Sequence, residues 1–409
     1  MDFNDTPEEA AFRAEARAWL EKTLGQPTAR TGARPESAEW LQTAKAYQAK
    51  KAAAGFVGLT WRKEVGGREL PPIFSVIFGQ EEQKFQAPVA PFAIGLGMCI
   101  PTVIAFHKPD RVKHYVGPAL RGDEIWCQLF SEPGAGSDVA GLKTRAVKDG
   151  DDWIINGQKV WTSGAHYSDY GIVLVRTNPE KEKHKGLTMF VVNMKAPGVE
   201  VRPIHQMSGG SNFNEVYFTD VRVSDSERLG EVGNGWNVAL VTLMNERLAV
   251  GGSAGPEYAE ILELARNTPS PSGKGSLLQD QAFREKLAGW YVSAEGYTLG
   301  KYRTMTALSK GQTPGPESSI GKILNANRMQ DLANAAIEGE DHYGIISDAD
   351  LAPMQGAFHN AYMWAPGLRI AGGTDEILRN IIAERVLGLP QDVRVDKGVA
   401  YKDLPTGRS

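Results

Sequence analysis

The spacing of apolar residues changes twice along this chain, and that order restricts the fold more than any other feature of the sequence. Over residues 1–123 and again from Gly235 onward, apolar residues recur with helical spacing. Between these segments, β-branched and aromatic residues alternate with polar ones. The first pattern is typical of amphipathic helices and the second of half-buried strands. The sequence therefore predicts a β-domain placed between two helical parts of one chain.

An α+β multidomain fold follows from this order, because helices and strands that are segregated along a chain pack as separate layers or domains. We expect an N-terminal α-helical domain over residues 1–123 and a middle β-barrel or β-sandwich domain over residues 124–229. A C-terminal four-helix bundle is then expected over residues 230–395, followed by a tail over residues 396–409.

Local signals predict individual elements inside these domains. Thr6-Pro7-Glu8-Glu9 is a capping box with proline at the first helical position, and the helix that it opens is expected to end at Gly25. Further helices are expected over residues 37–54 and 72–85. Asp149-Gly150 separates two strand patterns and predicts a hairpin. The expected strands are 124–131, 144–148, 153–160, 171–176, 187–192 and 213–223.

Composition and charge argue against several classes of protein. The 409 residues carry a net charge of −4, and the basic residues are spread along the chain, so no nucleic-acid or anionic-lipid partner is expected. No apolar run reaches the roughly 20 residues that span a bilayer, and the acidic N-terminus does not resemble a signal peptide. Cys99 and Cys127 are expected to be small buried residues. We expect a soluble cytoplasmic protein without a metal site.

A glycine-rich segment follows the first strand pattern. It reads FSEPGAGSDVAGLKT over residues 130–144, with hydroxyl groups at Ser131 and Ser137. Backbone N–H groups in such a turn can approach an anion closely, and a serine adds a further donor. The segment lacks the GxGxxG spacing and the following helix of a Rossmann or P-loop site. On its own, it is therefore better interpreted as a surface turn.

A second segment, NGQKVWTSGA over residues 156–165, has an aromatic side chain beside two hydroxyl groups. The Asn-Gly dipeptide at its start is typical of a hairpin turn. Trp161 at a strand end is as readily a core residue as a functional one. Its aromatic face beside Thr162 and Ser163 is also what a flat heteroaromatic cofactor needs, so both interpretations stay open at this point.

Four segments, collinear along the chain, resemble the acyl-CoA dehydrogenase family of flavoproteins. They are SEPGAGSD, NGQKVWTSGA, FNEVYFTDVRV and GGTDEILRNIIAERVLGLP. The resemblance covers nearly the whole chain and implies noncovalent FAD between the β-domain and the C-terminal helices. It also implies removal of the α-proton of an acyl-CoA thioester, transfer of the β-hydride to flavin N5, and electron-transfer flavoprotein as the usual acceptor. A homo-tetramer or homo-dimer that acts in fatty acid β-oxidation is the expected assembly.

The resemblance also implies roles for individual residues. Gly136 and Ser137 are expected near the FAD phosphates or the bound thioester. Thr374 and Glu376 open the last helix, where relatives also approach FAD. Asp375 and Glu376 fit simple capping and dipole complementation at a helix start equally well. The residues expected to line the flavin or contact its isoalloxazine ring are Gln128, Phe130, Ser131, Trp161, Thr162 and Ser163.

The base of this reaction is missing from its usual position. Many relatives read YEGT where this chain reads AGGT over residues 371–374, and in them the glutamate removes the proton. Gly372 occupies that position here, and we expect the space that it leaves to help admit a branched or bulky acyl group. A thioester α-proton requires a positioned base, so either another residue serves or the chemistry is absent.

Glu246 is the candidate for that base. On a helix, Glu246 shares a largely apolar face with Ala239 and Leu243, and burial there raises the pKa of a carboxyl group. From the residues alone, an ion pair with a basic side chain is the simpler interpretation. A branch of the family that includes isovaleryl- and long-chain acyl-CoA dehydrogenases has its catalytic glutamate on this helix, in a pair like Glu246-Arg247. The residues expected at the substrate are Ser137, Arg247 and Gly372.

Two further segments depart from the family pattern. Residues 265–275 read ARNTPSPSGKG, without the arginine that in many members reaches the FAD of a neighbouring subunit. Residues 335–344 read AAIEGEDHYG in place of a QxxGG loop at the adenine end of FAD. Bacterial members with these losses resemble subunits of heteromeric dehydrogenases acting on steroid side chains or other bulky acyl groups. The hypotheses are an acyl-CoA dehydrogenase that uses Glu246, an oxygen-reactive oxidase or monooxygenase of the same fold, and a subunit of a heteromer.

Overall fold

The computed structural model describes residues 4–27, 37–249, 255–270, 273–310 and 315–405, and within these it leaves the side chains of residues 246–249 and 308–309 undescribed. The chain divides into two compact units. The helical unit comprises the described residues within 1–35, 70–87 and 251–390. The sheet unit comprises those within 36–69, 88–250 and 391–409.

Helices occupy both ends of the chain, as the spacing of apolar residues predicts. The capping box is present, because Thr6 accepts a hydrogen bond from the Glu9 backbone and Glu9 accepts one from the Thr6 backbone. The α-helices are α1 (Pro7–Leu24), α2 (Ala38–Ala53), α3 (Pro72–Glu82), α4 (Ile100–Phe106), α5 (Pro109–Arg121), α6 (Gly235–Ala249), α7 (Tyr258–Asn267), α8 (Gln281–Ser309), α9 (Ser319–Glu340), α10 (Ala357–Ile370) and α11 (Asp375–Arg385).

The middle of the chain forms an eight-stranded sheet within the described residues, in the order β6-β7-β3-β2-β4-β5-β8, with β1 paired to β4. The pairs β1–β4 and β2–β4 are parallel and the other pairs are antiparallel. The strands are β1 (Trp126–Leu129), β2 (Arg145–Asp149), β3 (Asp152–Ser163), β4 (Tyr170–Arg176), β5 (Leu187–Asn193), β6 (Val199–Ile204), β7 (Phe213–Ser224) and β8 (Arg228–Leu229).

The sequence pattern does not predict two of the strands, β6 and β8. β6 lies at the edge of the sheet and contains Pro203, which a strand tolerates only where its missing N–H is not needed. β8 has two residues and too little length to show any alternation. β6 pairs antiparallel with β7, the next strand along the chain, whereas β8 pairs with the more distant β5.

One predicted hairpin is confirmed and one is wrong. Asp149 pairs with Asp152 across a two-residue turn in which Gly150 has a φ of 63°. Asn156-Gly157, by contrast, lies inside β3, where the register with β7 shifts between Ile155 and Gly157. A Cβ atom at Gly157 would come within 2.6 Å of the Thr144 Cα atom. Gly157 therefore permits a β-bulge and a close approach of two strands instead of a turn.

The sheet separates two cores, and β4 contributes to both. Ile172 and Leu174 pack in one apolar cluster together with residues of α4, α5 and α6. Val173 and Val175 pack in the other, which also contains Trp153 and other side chains of the sheet. Alternate residues of β4 face opposite sides, so a strand that is buried on both faces is apolar throughout.

The helical unit has its own core, in which α7, α8, α9 and α10 pack together. Trp290 on α8 is buried and donates a hydrogen bond from its indole nitrogen to Asp331 on α9, at 2.6 Å. Leu332 and Phe358 lie in the same cluster. Among the described helices, none combines the length and the apolar character needed to cross a bilayer. In the sheet unit, Cys99 and Cys127 are buried free thiols, as predicted.

Candidate active site

The ends of β1 and β3 lie side by side, and this brings the two chemistry-bearing segments of the sequence together. The Val160 backbone N–H donates to the Ser131 carbonyl oxygen at 2.9 Å. Gln128 and Ser131 are half-buried, whereas the Phe130 side chain is buried in the core that contacts the helices. Gly136 and Ser137, further along the glycine-rich loop, are exposed.

A buried ion pair fixes this junction. Lys159 is fully buried on β3, and its ammonium nitrogen lies 2.9 Å from a Glu132 carboxylate oxygen and 3.0 Å from the Phe130 carbonyl oxygen. Glu132 also accepts hydrogen bonds from the backbone N–H groups of Lys143, at 2.6 Å, and Thr144, at 2.9 Å. The carboxylate therefore joins both ends of the glycine-rich loop to the third strand.

The pKa shifts of the two groups are consistent with a charged pair at neutral pH. Burial by itself raises the pKa of Glu132, but the positive charge of Lys159 and the two backbone donors outweigh it and lower the pKa. Burial lowers the pKa of Lys159 to about 8 despite its partner. Sequence reasoning missed this pair, because Lys159 stands between Gln158 and Val160, a pattern that does not reveal whether the lysine side chain is buried.

Trp161 is the most unusual residue of the junction. Its indole is 57% exposed, and its φ of 60° lies in the left-handed region that a large side chain rarely adopts. The register between β3 and β7 shifts between Lys159 and Thr162, so Trp161 sits in a bulge, a feature that redirects a side chain. Its ring meets Phe213 edge to face at 5.9 Å. The core interpretation of Trp161 is therefore wrong.

The neighbouring hydroxyl groups differ in burial. Thr162 is buried, and its hydroxyl has no hydrogen-bond partner among the described residues. Ser163 is half-buried at the end of β3. A buried polar group without a partner is costly, so the Thr162 hydroxyl is an unsatisfied group next in sequence to the exposed indole. An open indole beside this hydroxyl fits a flat aromatic ligand with polar edges.

The helix α6 carries the candidate base. Ala239 is buried and Leu243 packs against the same apolar core of the sheet unit, which agrees with the predicted apolar face. Thr242 between them is buried and shares a hydrogen bond of 2.9 Å with Thr102 of α4. Glu246 and Arg247 belong to the last turn of α6, and their side chains lie outside the described residues.

The AGGT segment joins α10 to α11 in the helical unit. Gly372 and Gly373 have φ values of 62° and 89°, which favour glycine. Thr374 caps α11 by accepting a hydrogen bond from the Ile377 backbone at 3.2 Å, and Glu376 is exposed in the first turn. The segment thus forms a left-handed turn that leads into a capped helix.

Asp375 does more than complement the helix dipole. It is buried and lies 2.9 Å from Arg369 and 3.4 Å from Lys322, and Asn327 donates to it at 3.1 Å. Burial raises the pKa of Asp375, but these partners together lower it below its ordinary value. Lys322 also donates to the Gly373 carbonyl oxygen at 2.8 Å. This network, which the sequence analysis did not anticipate, holds the glycine turn in place.

Comparison with known proteins decides the family. Models of the N-terminal, middle and C-terminal domains of acyl-CoA dehydrogenases match residues 6–123, 127–221 and 233–387. The acyl-CoA dehydrogenase IpdE1 of Mycobacterium tuberculosis is 36% identical over 394 residues, which cover 94% of this chain and 98% of IpdE1. The chain belongs to the acyl-CoA dehydrogenase family. Its three-domain architecture, its oxidoreductase class and its cofactor, FAD, are therefore as the resemblance implied.

Further relatives of the acyl-CoA dehydrogenase chain differ in length and assembly. FadE34 of M. tuberculosis is 34% identical, and this chain spans about half of it, 52% of its length. The Tcur3481-Tcur3483 steroid acyl-CoA dehydrogenase has a TM-score of 0.79 at 26% identity, with 96% of this chain and 100% of that chain covered. The ChsE4-ChsE5 complex of M. tuberculosis has a TM-score of 0.77 at 28% identity, with the same coverage.

The divergent segment over residues 335–344 contains an unusual carboxyl group. Glu340 ends α9, is 5% exposed, and has one carboxyl oxygen without a hydrogen-bond partner among the described residues. Burial alone raises its pKa to about 7. Within 265–275, residues 271 and 272 lie outside the described part of the chain. Among the described residues, no cluster of His, Cys, Asp and Glu is suited to hold a metal ion.

Proposed function

We propose that this protein oxidises an acyl-CoA thioester at its Cα–Cβ bond to the trans-2-enoyl-CoA, with Glu246 as the general base. When bound, FAD supplies the acceptor for the hydride that leaves Cβ. The Glu246 carboxylate takes the proton that leaves Cα, so the two C–H bonds break as the C=C bond forms. Electrons then pass to electron-transfer flavoprotein.

One observation carries the assignment of the base: residue 372 is a glycine in a left-handed turn. It has no titratable group, and a φ of 62° opposes any side chain at that point. The nearest carboxyl group along the chain, that of Asp375, is held by Arg369 and Lys322 with a lowered pKa, which makes it a weak base. Glu246 lies on α6, whose preceding turns pack in an apolar core through Ala239 and Leu243, and a carboxyl group buried on such a face would be more basic.

We assign the flavin to the junction of β1 and β3. Trp161 offers an exposed ring face, and the Thr162 hydroxyl offers a buried polar group without a partner. The exposed Gly136 and Ser137 offer donors to a phosphate or to the thioester oxygen. The remaining residues of the proposed site are Gln128, Phe130, Ser131, Ser163, Thr374 and Glu376 for FAD, and Arg247 and Gly372 for the substrate.

Anaerobic bleaching of the FAD-loaded protein tests this function. Straight-chain, branched and ring-containing acyl-CoA thioesters are added in turn, and the visible flavin absorbance is followed. At least one thioester should bleach the flavin and give a product that is lighter by two hydrogens in mass spectrometry. A protein that binds FAD but is bleached by none of them would contradict the proposal.

Bulky acyl groups are the proposed substrates, because Gly372 has no side chain and a relative is named a steroid acyl-CoA dehydrogenase. A Gly372→Glu variant should lose activity toward ring-containing thioesters more than toward short straight ones, measured as kcat/KM. Gly372→Ala is the matched control, since it introduces the same backbone strain, about 1–2 kcal/mol, without the long side chain. Equal kcat/KM ratios in the parent and the Gly372→Glu variant would contradict this size effect.

A heteromeric subunit is the second candidate, and the similarity to the ChsE4-ChsE5 complex favours it. The chain also lacks the family arginine within residues 265–275 and the glutamine of the QxxGG loop. Purification alone and beside candidate partner chains distinguishes the two assemblies. A colourless protein that becomes yellow only with a partner would show a heteromer, whereas a yellow and active homo-oligomer would exclude the need for one.

A further inference from the structure

The chain returns to the sheet unit after α11 and runs along the β4–β5 connection. We call residues 391–405 the C-terminal strap. The Tyr401 backbone donates to the Lys181 carbonyl oxygen at 2.8 Å, and the Lys402 backbone donates to that of Pro179 at 3.1 Å. Ala400 forms an isolated β-bridge with Glu182. The strap is thus joined to the sheet by backbone hydrogen bonds.

Tyr401 reaches from the strap to the end of the glycine-rich loop. Its hydroxyl donates to the Gly141 carbonyl oxygen at 3.2 Å, and its ring lies over the Arg176 guanidinium at 3.4 Å. Arg176 donates to the carbonyl oxygens on either side, those of Ala140 at 2.5 Å and Leu142 at 3.2 Å. Three consecutive carbonyl groups of the loop are therefore held by one arginine and the tyrosine stacked on it.

Lys183 makes a second link between the strap and the loop. Its ammonium group lies 2.9 Å from a carboxylate oxygen of Asp138 and is also paired with Asp396 of the strap. Asp138 directly follows Ser137. The Lys183 side chain is largely buried, so dissolved salt screens its two ion pairs less than it screens fully exposed ones.

We propose that the C-terminal strap, through Tyr401 and Asp396, positions the glycine-rich loop for binding of FAD and acyl-CoA. The inference rests on the proposed function of Gly136 and Ser137. Residues 133–138 of that loop include glycines and form no regular helix or strand, so ordering them on binding costs conformational entropy. Contacts that fix the adjoining carbonyl groups remove part of that cost beforehand. Tyr401 is a positioning residue, since its hydroxyl and ring contact Gly141 of the loop and Arg176.

Hydrogen–deuterium exchange of the full-length holoenzyme tests the link directly. Tyr401→Ala removes the hydroxyl and the ring, Tyr401→Phe removes only the hydroxyl, and Asp396→Asn weakens the second link. Lys402→Ala is the matched control, because Lys402 lies on the strap but pairs with the exposed Glu180 and not with the loop. Exchange of amides 134–142 should be about three- to tenfold faster in Tyr401→Ala, intermediate in Tyr401→Phe and Asp396→Asn, and unchanged in Lys402→Ala.

Ligand binding provides the second readout. Release of FAD on dilution, followed by flavin fluorescence, should become faster in the same order of variants, and KM for the thioester should rise while kcat stays within about twofold. Unchanged exchange in Tyr401→Ala would overturn the proposal, as would faster exchange with parental FAD release and KM. Exchange and FAD release do not depend on Glu246, so failure of the proposed base leaves both results interpretable.

Discussion

Two buried carboxyl groups, Glu132 in the sheet unit and Glu340 in the helical unit, have pKa values that are shifted in opposite directions. Their residues are 7% and 5% exposed. Glu132 is surrounded by a lysine and two backbone donors, and its pKa falls. Glu340 has one oxygen without a partner among the described residues, and burial raises its pKa to about 7. The partners, and not the burial, decide the charge of each carboxyl group.

This difference bears on the proposed base. A carboxyl group that accepts a proton near neutral pH needs apolar surroundings with few hydrogen-bond donors, and Glu340 has such surroundings. Glu132, by contrast, is surrounded by donors that keep it ionised. Glu132 is suited instead to a structural role, as a carboxylate that stays ionised and holds the ends of the glycine-rich loop.

The largest effect is expected from removing the cation next to Glu132. Lys159→Met leaves the carboxylate buried without its partner, which should reduce the free energy of unfolding by about 3–5 kcal/mol. Urea unfolding followed by circular dichroism measures it. Lys195→Met is the control, because Lys195 is exposed and pairs with Asp169 at 2.6 Å, and the expected loss is below about 1 kcal/mol. Equal losses in the two variants would contradict the structural role of the buried pair.

Glu340→Gln should give a smaller change of opposite sign. The folded-state pKa of Glu340 is raised to about 7, so the folded protein binds more protons than the unfolded protein between about pH 4.5 and 7, and stability falls as pH rises through that range. The glutamine variant lacks this penalty and should be more stable above pH 7 by the order of 1 kcal/mol.

Thermal unfolding from pH 4.5 to 8 measures the effect of Glu340→Gln. Glu338→Gln on the same helix is the control, because Glu338 is exposed and forms a long ion pair with Lys286 at 3.9 Å. The control should follow the parent at every pH. Glu132→Gln should show the reverse sign, since a lowered pKa contributes stability above the ordinary carboxyl pKa and loses it as pH falls. A Glu340→Gln protein that melts like the parent at pH 8 would show that burial of Glu340 does not destabilise the folded protein.

Local signals of the sequence predict much of the fold. The Thr6 cap, the Asp149-Gly150 hairpin and the central strands depend on neighbours within a few residues, which spacing and residue type reveal. The sequence pattern does not predict the strand β6, because Pro203 interrupts it and none of its residues is fully buried. The hairpin predicted at Asn156-Gly157 is wrong because a glycine permits a bulge as readily as a turn.

The candidate site was predictable only as residue types in motifs. Trp161 and Thr162 follow from the family resemblance, but the left-handed backbone that exposes the indole does not. Glu132 and Lys159 lie 27 residues apart, and their contact arises from the adjacency of β1 and β3. The contacts that Arg176 and Tyr401 make with the glycine-rich loop join segments that are even further apart in the sequence. Such contacts depend on the tertiary fold and leave no local periodicity.

We propose that Glu246 replaces the missing carboxylate at position 372. Anaerobic stopped-flow reduction of FAD by the best thioester, in the parent, Glu246→Gln and Glu376→Gln at matched FAD content, tests it most directly. Loss of a general base slows such a step by about 10²- to 10⁴-fold. We predict a loss of that size in Glu246→Gln and less than about tenfold in Glu376→Gln, whose carboxyl group is exposed. Parental reduction in Glu246→Gln, or a larger loss in Glu376→Gln, would contradict the account.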